Sequence, residues 1–248
     1  MSSIALSIDW DFFTPGAARM WEHSSIDETL HFLWENWKQD RLMTMADKVK
    51  AVNATGFWKW LSKWVVLSPN RQVVVSESHA AMHDLLTYKH STLLLFDSHH
   101  DCYPLSPWND DAEPDCGNWG TFWMKKRNKK GQVLWVSQLK QRDENTIKSR
   151  IEYSVRKNVR AYVLKGIEPV LDSMCEKAGG KIKMDFIHIC RSGCWAPPWT
   201  DKDFLTFLEE SGFDCRITKH RKFWSPTLDR WKNGKVRRLY DNLQSADY

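Results

Sequence analysis

Short apolar runs that end abruptly in carboxylates and imidazoles constrain this chain more than any other feature. The sharpest is Leu93-Leu94-Leu95-Phe96, which breaks off into Asp97-Ser98-His99-His100-Asp101. An unbroken apolar run bounded by polar residues predicts a buried strand of a parallel sheet. In such sheets ligands bind beyond the carboxyl ends of the strands. Side chains two apart on an extended segment point the same way, about 6–7 Å apart at about 3.3 Å rise per residue. Asp97, His99 and Asp101 therefore read as half of a metal site. The start of the chain supplies a second half: Ile4-Ala5-Leu6 runs through Ser7-Ile8 into Asp9-Trp10-Asp11.

Further runs give strand candidates at 3–9, 72–76, 92–97, 133–136, 159–164 and 184–190. Between them lie helical patterns. Ile26, Leu30, Leu33, Trp34 and Trp37 recur at helical spacing, as do Phe57, Trp60, Leu61 and Trp64. Both stripes read as core rather than as binding boxes. Thr200-x-x-Asp203 resembles a capping box before Phe204, Phe207 and Leu208, with Gly212 as the stop. Strands and helices alternate with no repeat or Pro/Gly-rich linker, which predicts one α/β domain over residues 1–248. The expected architecture is a three-layer αβα sandwich on a mostly parallel sheet.

A chain that is 42% hydrophobic and 27% charged can bury a substantial core. It has no apolar stretch of membrane-spanning length and no signal-peptide pattern at its start, so a cytoplasmic location is expected. The six Cys form no C-x-x-C pair, which argues for reduced thiols rather than structural zinc. Residues 216–238 concentrate Arg and Lys; this reads as a solvated basic surface, or as a site for an acidic peptide, phosphate or nucleic acid. The long stretch 102–120, rich in Pro, Asp and Gly, follows Asp101 where functional loops tend to sit.

Carboxylates with some imidazole suit hard divalent ions such as manganese or magnesium. The candidate metal ligands are Asp9, Asp11, Asp97, His99 and Asp101, with His79 at the end of Gln72–His79 as a second imidazole. Such a set can hold two ions about 3.5–4 Å apart and activate a solvent molecule between them. The plainer reading is that Asp and His at strand ends cap helices and bind backbone amides. His83 and His100 have no spacing argument and read as structural or exposed.

These motifs resemble the arginase and agmatinase family of ureohydrolases. Asp97-Ser98-His99-His100-Asp101 is similar to its D-x-H-x-D motif. Ser7-Ile8-Asp9-Trp10-Asp11-Phe12-Phe13-Thr14-Pro15 is similar to S-x-D-x-D-x-x-D-P, with Thr14 replacing the last Asp. Ser78-His79-Ala80 resembles the upstream D-H-S, and Cys116-Gly117-Asn118-Trp119-Gly120 the S-G-N-L-H-G loop. The S-x-D-x-D element opens this chain instead of following D-x-H-x-D, which suggests a circularly permuted sheet. The wording is nearest the divergent branch that includes peptide arginases, which convert arginine residues of ribosomally made precursor peptides to ornithine.

The resemblance implies two Mn2+ ions bridged by Asp9 and Asp97, with His79 and Asp101 completing one site and His99 and Asp11 the other. A bridging hydroxide would attack a guanidinium carbon and release urea. Trp119 stands where the family's loop His would be, and the guanidinium-binding Glu is not evident. Glu168, placed at a strand end (161–168), and Glu77 are the candidates for it, since a buried guanidinium calls for a carboxylate acceptor, and His100 is carried as a further candidate catalytic group. The implied partner is an arginine-containing precursor peptide, its acidic leader held by the basic end of the chain. The rival readings are a small-molecule ureohydrolase or amide-cleaving deacetylase, and a nucleic-acid or partner-binding protein with a decayed metal site.

Overall fold

The computed structural model describes residues 3–14, 51–76, 78–86, 89–103, 113–127, 130–138, 151, 155–192, 196, 200–213 and 216–217. The Ile26–Trp37 stripe, Glu77, residues 104–112 of the 102–120 stretch and the basic segment after Ile217 lie outside them. Among the described residues seven strands form one sheet: β1 (Ser3–Asp9), β2 (Val65–Ser76), β3 (His90–Phe96), β4 (Gln132–Ser137), β5 (Val159–Val163), β6 (Ile182–Cys190) and β7 (Arg216–Ile217). Their order is β5-β4-β3-β1-β6-β2-β7, and every pairing is parallel. The expected strands are all present. β2 starts earlier than the sequence pattern placed it, with a register shift between Leu67 and Gln72.

Two-residue periodicity sends alternate side chains to two separate cores. On one face Leu6, Ile8, Leu94, Phe96, Ile187 and Ile189 pack under helices α1 (Phe57–Leu61), α4 (Leu164–Ala178) and α5 (Asp201–Ser211). On the other, Ala5, Leu93, Leu95, Val74 and Phe186 meet α2 (Met82–Leu85) and α3 (Trp119–Lys126). Helices on both faces make this an α/β fold consistent with a three-layer sandwich. No helix among the described residues is long and apolar enough to cross a membrane.

Two local expectations change. Thr200 is the residue before α5, yet its hydroxyl accepts the Trp10 indole N–H at 3.0 Å and makes no side-chain cap. Residues 164–168 are helix rather than strand end, because Leu164, Ile167, Val170, Leu171 and Met174 follow a helical apolar period. Glu168 thus lies in the second turn of α4, where its carboxylate accepts the Trp60 indole N–H at 2.8 Å.

Candidate metal centre

The site forms at the carboxyl ends of β1, β3 and β2. Strand β1 stops at Asp9, and Asp11 lies in a single 3-10 turn, Trp10–Phe13, rather than on an extended segment. Asp97 likewise follows the last residue of β3. The two carboxylates are aimed by the same device: Asp9 Oδ1 accepts the Asp11 amide at 3.1 Å, and Asp97 Oδ1 accepts the His99 amide at 2.7 Å. Each thereby presents Oδ2 inward, 3.1 Å and 2.9 Å from Nδ1 of His79. Trp10, Phe12 and Phe13 are fully buried, and Trp10 meets Phe204 edge-on at 5.2 Å, so the turn that carries Asp11 is anchored in the core.

Because β1 and β3 are neighbours, the two motifs also lock to each other. Asp11 Oδ1 accepts the Ser98 amide at 3.1 Å, while the Ser98 hydroxyl donates to the Asp11 carbonyl at 3.0 Å. Asp11 Oδ2 is left 3.0 Å from His99 Nδ1. Asp101 adopts φ +50°, a left-handed conformation that Asp tolerates, and brings Oδ2 to 2.7 Å from His79 Nδ1. The Trp119 indole donates to that same oxygen at 2.8 Å. Gly120 approaches so closely that a Cβ there would meet Cys102 Sγ at 2.6 Å and the Asp101 carbonyl at 2.8 Å.

All six candidate ligands named from the sequence therefore converge. Asp9, His79 and Asp97 offer ligand atoms within 4.8 Å of one another, as do Asp11, Asp97 and His99, and Asp97 is common to both groups. These buried Asp and His groups could hold a metal ion. Asp11 Oδ2, His79 Nδ1 and Asp97 Oδ2 are buried with no hydrogen-bond partner, although opposing atoms lie within ion-pair distance. Lone pairs that face a common point without bonding each other are the arrangement a cation needs.

The electrostatics agree. Burial alone would lower the His79 pKa, but the Asp101 charge and the Asp101, Asp9 and Asp97 carboxylate oxygens close to Nδ1 hold it well above the ordinary value. For His99, burial is likewise outweighed, first by Asp11 and then by the Asp101 and Asp9 charges, giving about 9. Burial and the charges of Asp101, Asp11 and Asp9 raise the Asp97 pKa well above its ordinary value, against the opposing effect of the His79 ring beside it. Without metal, protons hold the carboxylates together.

Of the candidate catalytic groups, His100 is buried beside Tyr103 (ring centroids 4.4 Å) and Trp135 (5.4 Å), with Nδ1 accepting the Cys102 amide. That environment suits packing. Glu168 is engaged by Trp60.

A further histidine beside the cluster belongs to none of the sequence motifs. His188, fully buried on β6, bonds Ser7 Oγ through Nδ1 at 3.0 Å and Ser76 Oγ through Nε2 at 2.7 Å. Ser7 in turn lies 2.7 Å from His79 Nε2. The available signal was a polar residue within or directly after a short apolar run in each of three strands: Ser7 in Ile4–Ile8, Ser76 after Val73–Val75 and His188 in Phe186–Cys190.

No protein-family model, curated protein or solved structure matches this chain.

Proposed function

We propose that the chain is a binuclear, manganese-dependent hydrolase of guanidinium groups, related to the arginase and agmatinase ureohydrolases, and that its substrate is an arginine side chain within a peptide. The observation that carries this reading is the membership of Asp97 in two ligand groups, one with Asp9 and His79 and one with Asp11 and His99. A shared carboxylate between two such groups suits a pair of hard ions. An amide-cleaving enzyme with a single zinc would leave the Asp11–His99 group without a role. Two ions held here would acidify a solvent molecule and polarise the guanidinium for hydrolysis to urea and an amine.

The chain's own residues do the positioning. Asp9 and Asp97 are held by the amides two residues on, Asp101 by Trp119, and His79 by Ser7. His99, with 24% of its side chain exposed against 1% for His79, marks the solvent-facing side of the cluster, where substrate would enter. The preference for peptide over free arginine rests on the resemblance to peptide arginases and on the long stretch after Asp101. The basic residues of 216–238 would attract an acidic leader.

The test is mass spectrometry of an arginine-containing peptide incubated with enzyme and Mn2+. A mass decrease of CH2N2 per converted arginine, with urea released, is the expected result. Conversion of free arginine alone would overturn the peptide preference, and no conversion of any guanidine by metal-loaded protein would overturn the activity.

A further inference from the structure

We propose that His188, acting through Ser7, is a positioning residue that fixes the tautomer of His79 and keeps its Nδ1 lone pair turned toward the carboxylates. The inference rests on the metal-centre reading above and states what holds one ligand in its binding form.

The direction of the hydrogen bonds decides the matter. Ser76 Oγ donates its single proton to the Ser78 carbonyl at 2.9 Å. It can therefore only accept from His188 Nε2, which must carry a hydrogen. His188 is fully buried and faces no carboxylate among its bonded partners, so it is neutral and its Nδ1 is a lone pair. Ser7 Oγ must then donate to that Nδ1 and accept from His79 Nε2. His79 is left with its hydrogen on Nε2, and Nδ1 is the atom available to a cation.

That outcome matters because His79 Nδ1 faces three carboxylate oxygens at 3.1, 2.9 and 2.7 Å. A lone pair at those distances is repelled unless a proton or metal ion lies between. With the relay in place, metal has only to displace a proton; no ring flip or hydroxyl reorientation is required. The relay also spans the sheet: Ser7 pairs in register with His188, and Ser76 comes from β2 on the far side of β6. The His79 and His188 rings stack with centroids 5.3 Å apart and planes at 22°, which restrains both rings further. A donor chain that orients a ligating imidazole is worth about 10–100-fold in metal affinity where measured.

Two measurements test this on the full-length protein. Long-range 1H–15N NMR of metal-free wild type should show His188 protonated on Nε2 and bare on Nδ1. Mn2+ titration, read from the signal of the free ion, should show about 10–100-fold weaker binding for His188→Phe and Ser7→Ala. The double variant should be no weaker than the worse single one, because both break one chain. His188 protonated on Nδ1, additive losses, or wild-type affinity in Ser7→Ala would overturn the relay. The NMR result needs no variant to fold. Wild type that binds no Mn2+ despite the expected His188 tautomer would instead overturn the metal centre, and with it the role assigned to the relay.

Discussion

Asp97 lies 1% exposed between two imidazoles, with one oxygen bonded to the His99 amide and the other against His79. Asp97→Asn keeps the shape and removes the charge shared by both ligand groups. Elemental analysis should find about two ions per wild-type chain, as expected of a two-metal site, and a loss of both in the variant. The histidines predict a pH dependence. His99 is raised from 6.5 to about 9, so its protonated form favours the metal-free fold. That stabilisation is complete below pH 6.5 and disappears as pH rises through about 9. Metal-free protein should therefore unfold at a lower temperature at pH 9 than at pH 6.5, by calorimetry. Metal-loaded protein, with the protons displaced, should lack this decline. Metal affinity should rise over the same window, and Mn2+ uptake in weak buffer should release protons.

At the scale of elements, the start of α3 supports Asp101 through two independent contacts. The Trp119 indole holds its carboxylate, and the Gly120 amide donates to its carbonyl at 2.9 Å. The left-handed backbone of Asp101 persists because both contacts hold it. Trp119→Phe keeps the buried ring and removes one hydrogen bond to a charged group, worth about 1.5–3 kcal/mol. It should weaken Mn2+ binding about tenfold or more while the unfolding transition stays cooperative. Gly120→Ala forces a methyl against Cys102 Sγ and the Asp101 carbonyl. Overpacking of this kind costs about 1–3 kcal/mol, so both the thermal midpoint and metal content should fall. Trp119 stands near the place of the loop His in the ureohydrolases that the chain resembles, and in the structure its indole steadies Asp101.

For the molecule as a whole, folded protein should be coupled to metal by mass action. Excess Mn2+ at about one hundred times Kd would stabilise the native state by about 2.7 kcal/mol. At about 2–4 °C per kcal/mol for a chain of this size, the midpoint should rise by roughly 5–10 °C. Chelator should reverse the rise, and Asp97→Asn should show none. An unchanged midpoint in wild type would mean the cluster does not take the ion.

Much of this was legible in the chain. Unbroken runs such as Leu93–Phe96 announce buried strands because a parallel sheet excludes water from both faces, and a polar residue there would need a partner. Carboxylates and an imidazole placed where such runs stop lie at the carboxyl ends of strands, where ligands of parallel sheets bind, so Asp9, Asp11, Asp97, His99 and Asp101 could be named from spacing as candidates. Glu168 was misplaced for a local reason: a strand and the helix that follows it share one apolar stretch, and period alone does not mark the joint. The strand order was beyond the sequence, since registers and neighbours come from long-range packing rather than from periodicity. Only the sheet places β6 between β1 and β2, and that placement sets His188 between Ser7 and Ser76. The residues that could hold a cation are written along the chain; the hydrogen bonds that link Ser7, His79, His188 and Ser76 exist only once three separate strands lie side by side.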